Sequence, residues 1–242
     1  MEKFSIADLI VEMDARGDLL FNRTRAYLYD GKESADITID LSDDFFMSRS
    51  DRFPMLTLDE CRYVWMGEAF YLNLLDHNGF MLHSSCIEYK GNAYLFSARS
   101  GTGKSTHTHI WLDEFKGSKI INDDKPAIRC TGGKCYAYGT PFSGKNDESI
   151  NDKAPVRAIV FIERAKENSI KKIEAIEAIP LFMSQTIRPK TAKYMGIMLE
   201  LLDSLFKTVP VFILKCNMDK SAAHVSYEGI EKYYSERKKD ED

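Results

Sequence analysis

The chain has 242 residues, of which 44% are hydrophobic and 29% charged, and its formal net charge is −4. These values are typical of a globular protein whose core needs no disulfide or metal support, and they exclude collagen, coiled coils and disordered tails. The negative charge argues against duplex nucleic acid as the main partner, because phosphate backbones are bound by basic surfaces. A nucleotide remains compatible with it, since one loop of amides and a lysine suffices for phosphate.

The cysteines and the apolar runs indicate in which cellular compartment the protein is found. Five cysteines are scattered along the chain without a CxxC pair. Cys130 and Cys135 flank a predicted hairpin turn, where they can sit opposite each other, but in a reducing cell we expect free thiols. No run approaches the roughly 20 apolar residues of a membrane span, and the N-terminus does not look like a secretory signal. We therefore expect a soluble, cytoplasmic protein with no membrane partner.

The first fifty residues predict a small unit of short strands. Strands are expected over 6–13, 19–21 and 26–29, with a hairpin turn at Asp30-Gly31. Residues 36–41 alternate, which places Ile37, Ile39 and Leu41 on one face. We expect two domains: a β-rich N-terminal unit over 1–56 and a core domain over 57–242.

The middle of the chain mixes strands and helices. Thr57 and Glu60 form a capping box that predicts a helix over 58–77. A second helix is expected over 103–115. The predicted strands cover 80–89, 93–97, 119–121, 126–130, 135–138 and 156–162.

The last third is more helical. Strands are predicted over 170–173 and 209–214, and helices over 178–186, 191–206 and 221–234. The helix at 191–206 carries an apolar stripe, which favours core packing over a binding surface: Met195, Met198, Leu199, Leu202 and Leu205. The order predicts a mixed α/β fold rather than a regular βαβ alternation.

The strongest motif is a phosphate loop between the strand at 93–97 and the following helix. It reads Ser100, Gly101, Thr102, Gly103, Lys104, Ser105 and Thr106. The glycines let backbone amides turn toward phosphate oxygens, the lysine reaches the outer phosphates, and the Ser105 hydroxyl can join Mg²⁺. The full pattern begins with glycine where this chain has Ala98, a substitution that costs little if φ stays negative.

Two acids follow the next predicted strand. Asp123 and Asp124 come directly after an apolar run, where one carboxylate can bind Mg²⁺ and the other can accept a proton. The alternative is a solvated acidic turn. His83 lies on the strand before the phosphate-loop strand, and hairpin register places it opposite residues 98–100, so we expect it at the site; His107 and His109 are expected to be ordinary helix residues.

These segments resemble the catalytic domain of HPr kinase/phosphorylase, a bacterial enzyme that phosphorylates a seryl hydroxyl of a carrier protein. The residues that carry the resemblance are Met81-Leu82-His83, the phosphate loop and Ile120-Ile121-Asn122-Asp123-Asp124, and it covers about 79–165. The chain also looks like small HPr-kinase-like proteins of bacterial peptide-modification systems. The resemblance implies a P-loop core with a mixed sheet, similar to phosphoenolpyruvate carboxykinase, and homo-oligomers.

The resemblance also implies roles for single residues. Ser100, Gly101, Gly103 and Lys104 match the family's phosphate-binding positions, and Ser105 its Mg²⁺-binding serine. The two aspartates match a family pair whose first member is the base, which implies Asp123 as base and leaves Asp124 for the metal. The upstream histidine of the family matches His83.

Two family features have no clear match. A further Glu downstream of the aspartates is missing, with Asp147 or Glu148 as weak substitutes, so reverse phosphorolysis is not expected. The family's distal catalytic Arg has three candidates, Arg157, Arg164 and Arg188. The segment 139–145 is either a loop that closes over the γ-phosphate through Lys145 or a plain surface loop.

The sequence thus predicts an ATP- and Mg²⁺-dependent kinase acting on a hydroxyl of a protein, a peptide or a small alcohol. Catalytic roles fall to Asp123, His83 and Lys104. One alternative is a phosphoenolpyruvate-carboxykinase-like enzyme acting on a small acid. The other is a nucleotide sensor that binds ATP, transfers nothing and contacts a partner through its N-terminal unit.

Overall fold

A computed structural model describes residues 1–241 and shows a mixed α/β protein, as predicted. Within this range there are twelve strands and seven helices. No helix among these residues is long and apolar enough to cross a membrane.

The N-terminal segment is more helical than its sequence predicted. It contains β1 (Glu2–Ile6), β2 (Leu9–Met13), α1 (Asp18–Thr24), a 3₁₀ turn (Arg25–Tyr27), β3 (Ile37–Ile39) and α2 (Asp43–Arg52). The single strand expected over 6–13 is wrong, because Ala7 and Asp8 adopt positive φ and turn the chain into a β1–β2 hairpin. The strands expected at 19–21 and 26–29 are wrong as well, and Asp30-Gly31 joins no hairpin in the described chain.

The alternating segment and the capping box fold as predicted. Ile37 and Ile39 are buried in β3, which pairs with β2. In α3 (Leu58–Asn73), the Thr57 hydroxyl accepts from the Glu60 amide and the Glu60 carboxylate accepts from the Thr57 amide. A 3₁₀ turn (Leu74–His77) completes the predicted helix. The N-terminal apolar side chains and those of α3 share one core cluster, and the predicted domain boundary after residue 56 stays a prediction.

The central elements surround the phosphate loop. They are β4 (Gly79–Met81), β5 (Ser84–Tyr89), β6 (Asn92–Ser97), α4 (Lys104–Glu114), β7 (Lys119–Asp124), β8 (Ala127–Thr131), β9 (Lys134–Tyr138) and β10 (Lys153–Arg164). The strand expected over 80–89 is interrupted at residues 82–83, so its two halves pair with different partners. In the β8–β9 hairpin, Cys130 and Cys135 are direct register partners with Cα atoms 4.0 Å apart. They form a disulfide, which corrects the expectation of free thiols.

The C-terminal third follows the predicted order. It contains β11 (Ser169–Ile173), α5 (Ala175–Ser184), α6 (Ala192–Thr208), β12 (Val211–Cys216) and α7 (Ser221–Glu241). The apolar stripe of α6 is mostly core, with Met198, Leu202 and Leu205 buried, but Leu199 is exposed and Leu201 is buried in its place.

Two sheets organise these elements. A three-stranded sheet has the order β1-β2-β3, and a nine-stranded sheet has the order β4-β8-β9-β10-β6-β5-β7, with β12 and then β11 added beside β10. The long strand β10 joins the two parts of the large sheet, because its first residues pair with β9 and its later residues with β6 and β12. The C-terminal ends of β6, β7 and β10 carry the residues described next.

Candidate functional site

The phosphate loop has the backbone that its glycines predict. Gly101 and Gly103 have φ values of 76° and 115°, a region that other residues rarely adopt. α4 begins at Lys104, and the first amides of a helix have no partner within it, so they are available to an anion. Ala98 is buried and is not among the residues with positive φ, so a side chain is accommodated where the motif has glycine.

Arg164, at the end of β10, supports the loop from behind. β10 runs parallel to β6, with Phe161 paired to Ser97, so the two strands end side by side. The Arg164 guanidinium donates from Nε to the Thr102 carbonyl at 2.9 Å and from Nη2 to the Gly101 carbonyl. Because peptide units are planar, holding these carbonyls also fixes the direction of the amides that follow them.

The other two arginine candidates lie elsewhere. Arg157 donates to Glu231 at 2.7 Å, and its guanidinium carbon lies 3.4 Å from the centre of the Tyr234 ring. Arg188 is exposed and is not in the wall of the cavity described below. Of the three, Arg164 is therefore the one beside the phosphate loop.

Asp123 is held by strand pairing and by the loop lysine. β7 pairs antiparallel with β5, which places Ser85 opposite Asp123 and Ser84 opposite Asp124. The Ser85 hydroxyl donates to Asp123 Oδ1, and Lys104 Nζ lies 3.4 Å from the same oxygen and 3.3 Å from Ser85 Oγ. Asp123 is only 7% exposed, while its Oδ2 accepts no hydrogen bond from any residue that the structure describes. One oxygen is thus fixed and the other is free.

Asp124 is paired with His83, a partner that the hairpin register did not predict, since the register placed His83 opposite residues 98–100. His83 Nε2 lies 2.8 Å from Asp124 Oδ1, and Lys125 Nζ contacts Oδ2. Burial alone would raise the pKa of Asp124, but the hydrogen bond from His83 and the charge of Lys125 outweigh it and hold that pKa well below its usual range. The carboxylate is therefore ionised at neutral pH.

His83 is itself oriented by a residue far away in the sequence. Its Nδ1 lies 3.0 Å from Gln185 Oε1, and its backbone amide donates to the Gln185 carbonyl at 2.7 Å. Sequence reasoning missed Gln185 and Ser85. Neither residue belongs to a local motif. Gln185 directly follows the end of α5, and Ser85 lies on β5, opposite Asp123 of β7.

The two histidines that follow the loop have the ordinary roles expected of them. His107 is buried on α4 with its ring 4.7 Å from that of Phe96, and burial lowers its pKa to about 4. His109 is exposed. Neither lies in the wall shared by Lys104, Asp123 and Asp124.

The loop over 139–147, which we call the anchored loop, is not a free surface segment. Thr140, Phe142 and Ser143 are buried. The Gly144 amide donates to the Asp123 carbonyl at 2.8 Å, and a Cβ at Gly144 would lie 2.8 Å from that oxygen, so a larger residue would push the loop away. The first part of the segment 139–145 is therefore packed into the protein, while closure over a γ-phosphate through Lys145 stays a prediction.

The anchored loop is also held by Arg23 of α1 and by α3. Arg23, whose side chain is 9% exposed, forms an ion pair with Asp147 at 2.7 Å and donates to the Gly144 carbonyl at 3.1 Å. Tyr63 of α3 donates to the Ser143 carbonyl at 2.7 Å. The N-terminal segment therefore positions a loop that borders the candidate site.

These elements enclose one cavity of about 560 Å³, which we call the phosphate cavity. Its wall contains most of the predicted residues: His83, Ser100, Gly101, Gly103, Lys104, Ser105, Thr106, Asp123 and Asp124. Among the predicted loop residues, Thr102 is outside this wall. The structure adds residues that the sequence did not assign or left open: Arg99, Gly144, Lys145, Asn146 and Arg164.

The charge of the phosphate cavity favours anions. Four arginine and lysine side chains line it against two carboxylates. Asp147 and Glu148, the substitutes considered for the missing family Glu, are not in its wall. Asp147 is instead taken by Arg23.

The oxygen donors that Mg²⁺ would need are few but suitable. The Ser105 hydroxyl is exposed to the cavity and has no hydrogen-bond partner among residues 1–241. The Asp124 carboxylate is ionised and lies in the same wall. No group of three or more His, Cys, Asp or Glu side chains suited to a metal occurs in the described chain, so phosphate oxygens and water would supply most ligands.

Comparison with known proteins adds little information about the function of this site. No protein-family model and no curated protein matches the chain. A solved structure that matches is the HPr(Ser) kinase/phosphatase from Coxiella burnetii, at 9% identity and a TM-score of 0.36, over 62% of this chain and 98% of that one. Similarity at this level carries no argument about activity, and membership of the HPr kinase family stays a prediction.

Proposed function

We propose that the protein is an ATP-dependent phosphotransferase that moves the γ-phosphoryl group to a hydroxyl. The observation that carries this proposal is the meeting of Lys104 and Asp123 in one anion-selective cavity. The lysine comes from a loop with the backbone of a phosphate-binding motif that follows β6, and the aspartate from the end of β7, which is separated from β6 by β5. A phosphate-binding lysine beside a buried carboxylate with a free oxygen suits transfer to a hydroxyl.

The loop and the cations bind the phosphates. The first amides of α4 and Lys104 bind the β- and γ-phosphates, while Arg164 keeps the loop in shape from behind. Arg99, just before the phosphate loop, and Lys145, in the anchored loop, line the same cavity and add positive charge. Positive charge placed in advance stabilises the charge that spreads over the transferred group.

The nucleotide site would be completed by Mg²⁺. Ser105 and Asp124 would hold it, and the ion would neutralise part of the phosphate charge. His83 keeps Asp124 in place from one side through its bond to Oδ1. Lys125 contacts the other oxygen.

The transfer step uses Asp123 as base. The acceptor oxygen forms a bond to the γ-phosphorus as the bond from that phosphorus to the bridging oxygen of ADP breaks. The hydroxyl proton passes to the free Oδ2 of Asp123, and ADP leaves with the electron pair of the broken bond. Ser85 and Lys104 hold Oδ1 throughout, which keeps the carboxylate aligned.

The test is a transfer assay with ATP labelled on the γ-phosphate and a panel of small alcohols and seryl peptides. We expect a labelled product with the native chain and a rate loss on the order of 10²–10³ in Lys104→Ala, the usual effect of removing one preorganised donor. Lys116→Ala, an exposed lysine after the same helix, is the matched control. An unchanged rate in Lys104→Ala would contradict the assignment, and ATP binding without transfer to any acceptor would favour the nucleotide sensor.

A further inference from the structure

A second cavity of about 310 Å³ lies between α3 and the anchored loop, a volume suited to a small ligand. We call it the aromatic pocket and define it by Tyr63, Gly67, Glu68, Tyr71, Lys125 and Phe142, which are part of its wall. Among these residues, Phe142 lies in the segment 139–145 considered above, and the others belong to no motif found in the sequence.

The aromatic pocket adjoins the phosphate cavity. Lys125 is in the wall of the pocket, and its ammonium contacts Asp124, which is in the wall of the phosphate cavity. Asp123 is two residues before Lys125 on the same chain segment. The two cavities therefore meet at the contact between Lys125 and Asp124.

The pocket offers mainly ring surface. The Tyr63 hydroxyl donates to the Ser143 carbonyl, and the Tyr71 hydroxyl is shared between Thr140 Oγ1 at 2.8 Å and the Lys125 carbonyl. Phe142 is buried against both tyrosine rings, at centroid distances of 5.8 and 5.7 Å. Because the hydroxyls are engaged by the protein, these side chains favour an apolar group.

The uncompensated charge of the pocket is negative. The Lys125 ammonium is neutralised by Asp124. Glu68 is half-buried, and its carboxylate has no hydrogen bond or ion pair with any side chain or backbone group in residues 1–241. The helix offers it no basic neighbour either, since Val64 and Leu72 stand four residues away on each side.

We propose that the aromatic pocket binds the phosphoryl acceptor, and that the acceptor is a small amino alcohol with an apolar, ring-sized skeleton. Its ammonium group pairs with Glu68 and lies against the aromatic rings, which attract a cation, while its apolar part fills the pocket. The acceptor role rests on the proposed phosphotransfer. The binding preference does not, because it can be measured without nucleotide.

The test compares three probes that differ in charge. Phenylalaninol is a cation at neutral pH, N-acetylphenylalaninol is neutral, and phenyllactate is an anion; all three carry a hydroxyl and a phenyl ring. By calorimetric titration of the full chain we expect phenylalaninol to bind at least about tenfold more tightly than the neutral probe, a difference of about 1.4 kcal/mol. Glu68→Gln should remove this preference, and Glu68→Lys should favour phenyllactate.

Controls separate this inference from the proposed function. Glu200→Gln, an exposed glutamate of α6, should leave all three affinities unchanged. Glu68 makes no hydrogen bond or ion pair within residues 1–241 that its replacement would break, so both variants should melt close to the native temperature. Equal binding of the three probes, or a preference that survives Glu68→Gln, would overturn the pocket assignment even if ATP-dependent transfer occurs.

Three further outcomes would each contradict one part of the proposal. Charge-selective binding of phenylalaninol with no phosphorylation of it would overturn its class as acceptor. If no other hydroxyl compound accepts phosphate either, the proposed function fails as well. Binding of a basic seryl peptide without binding of the amino alcohol would overturn the small-molecule assignment in favour of a peptide.

Discussion

The two cavities that meet beside Asp124 and Lys125 are built in different ways. The phosphate cavity is polar, and its reactive groups come from a loop motif and from strand ends that are neighbours in the sheet. The aromatic pocket is apolar, and its wall combines one face of α3 with Phe142 of the anchored loop. Under the proposed function, the first cavity would bind and transfer the phosphoryl group, whereas the second would select the acceptor.

The difference shows where specificity can vary. A phosphate loop needs fixed residue types at fixed spacing, because amide directions and a lysine's reach leave little freedom. A pocket between a helix and a loop can change its size and charge with one side chain. The anchored loop borders both cavities, and Arg23 and Tyr63 hold it in place. Through Arg23, the N-terminal segment therefore supports a loop that borders both sites without contributing a reacting group to either.

The largest expected effect is that of Asp123→Asn, which should abolish the function of the phosphate cavity and leave binding in the aromatic pocket unchanged. Asp123→Asn keeps an oxygen that can accept from Ser85 and keeps the size of the side chain, so the fold should be retained. It removes the proposed proton acceptor, and general bases typically contribute 10²–10⁴ in rate. We expect a loss of that order in the transfer rate, measured with γ-labelled ATP, and native affinity for phenylalaninol.

Asp203→Asn, an exposed aspartate of α6, is the control and should transfer at the native rate. A transfer rate within about threefold of native in Asp123→Asn would assign the base elsewhere. A simultaneous loss of phenylalaninol binding would show instead that the two cavities do not act independently.

A smaller effect is expected from Arg164→Ala, which acts on the phosphate cavity alone. Hydrogen bonds from a charged donor contribute about 1.5–3 kcal/mol, so losing the support of the Gly101 and Thr102 carbonyls should weaken nucleotide binding roughly 10–100-fold. Titration with a non-hydrolysable ATP analogue measures this. Lys166→Ala, just beyond the same strand, should bind normally.

An ATP affinity unchanged by Arg164→Ala would mean that the loop holds its shape without this residue. A weakened affinity for phenylalaninol would contradict the separation of the two cavities. The result expected is a change in nucleotide binding only.

Local patterns predicted the elements of the phosphate cavity well. Gly101 and Gly103 have the left-handed backbone that the motif requires, and Asp123 and Asp124 end a sheet strand. The position of His83 followed from hairpin register, because Ser84 pairs with Ser97 across β5 and β6. Each of these inferences depends on neighbours in sequence or on one short turn.

What the sequence did not predict depends on distant pairing. Ser85 reaches Asp123 only because β7 adds to the free side of β5, and Gln185 meets His83 from about a hundred residues away. Residues 19–21 are too short a run to show helical periodicity, and the Ala7-Asp8 turn uses residues that rarely mark a hairpin. The aromatic pocket was missed for the same reason, since its walls come from segments with no shared motif.

The smallest expected effect concerns the shape of the aromatic pocket. A Cβ at Gly67 would lie 2.8 Å from Cδ1 of Phe142, so Gly67→Ala must displace that ring by a small amount. The buried ring is packed against Tyr63, Phe70 and Tyr71, which limits where it can go. We expect the affinity for phenylalaninol to fall by about three- to tenfold, or roughly 1 kcal/mol, with ATP binding unchanged.

Gly196→Ala provides a control of the same chemistry, because Gly196 also lies inside a helix and a Cβ there would meet nothing within 4 Å. Both substitutions gain helix propensity, worth about 1 kcal/mol, but only Gly67→Ala also strains a packed ring. Thermal unfolding should therefore show Gly196→Ala stabilised and Gly67→Ala near the native value or below it. If Gly67→Ala is stabilised to the same degree and binds phenylalaninol normally, Phe142 moves freely, and the pocket's selectivity must come from the charge of Glu68 rather than from its shape.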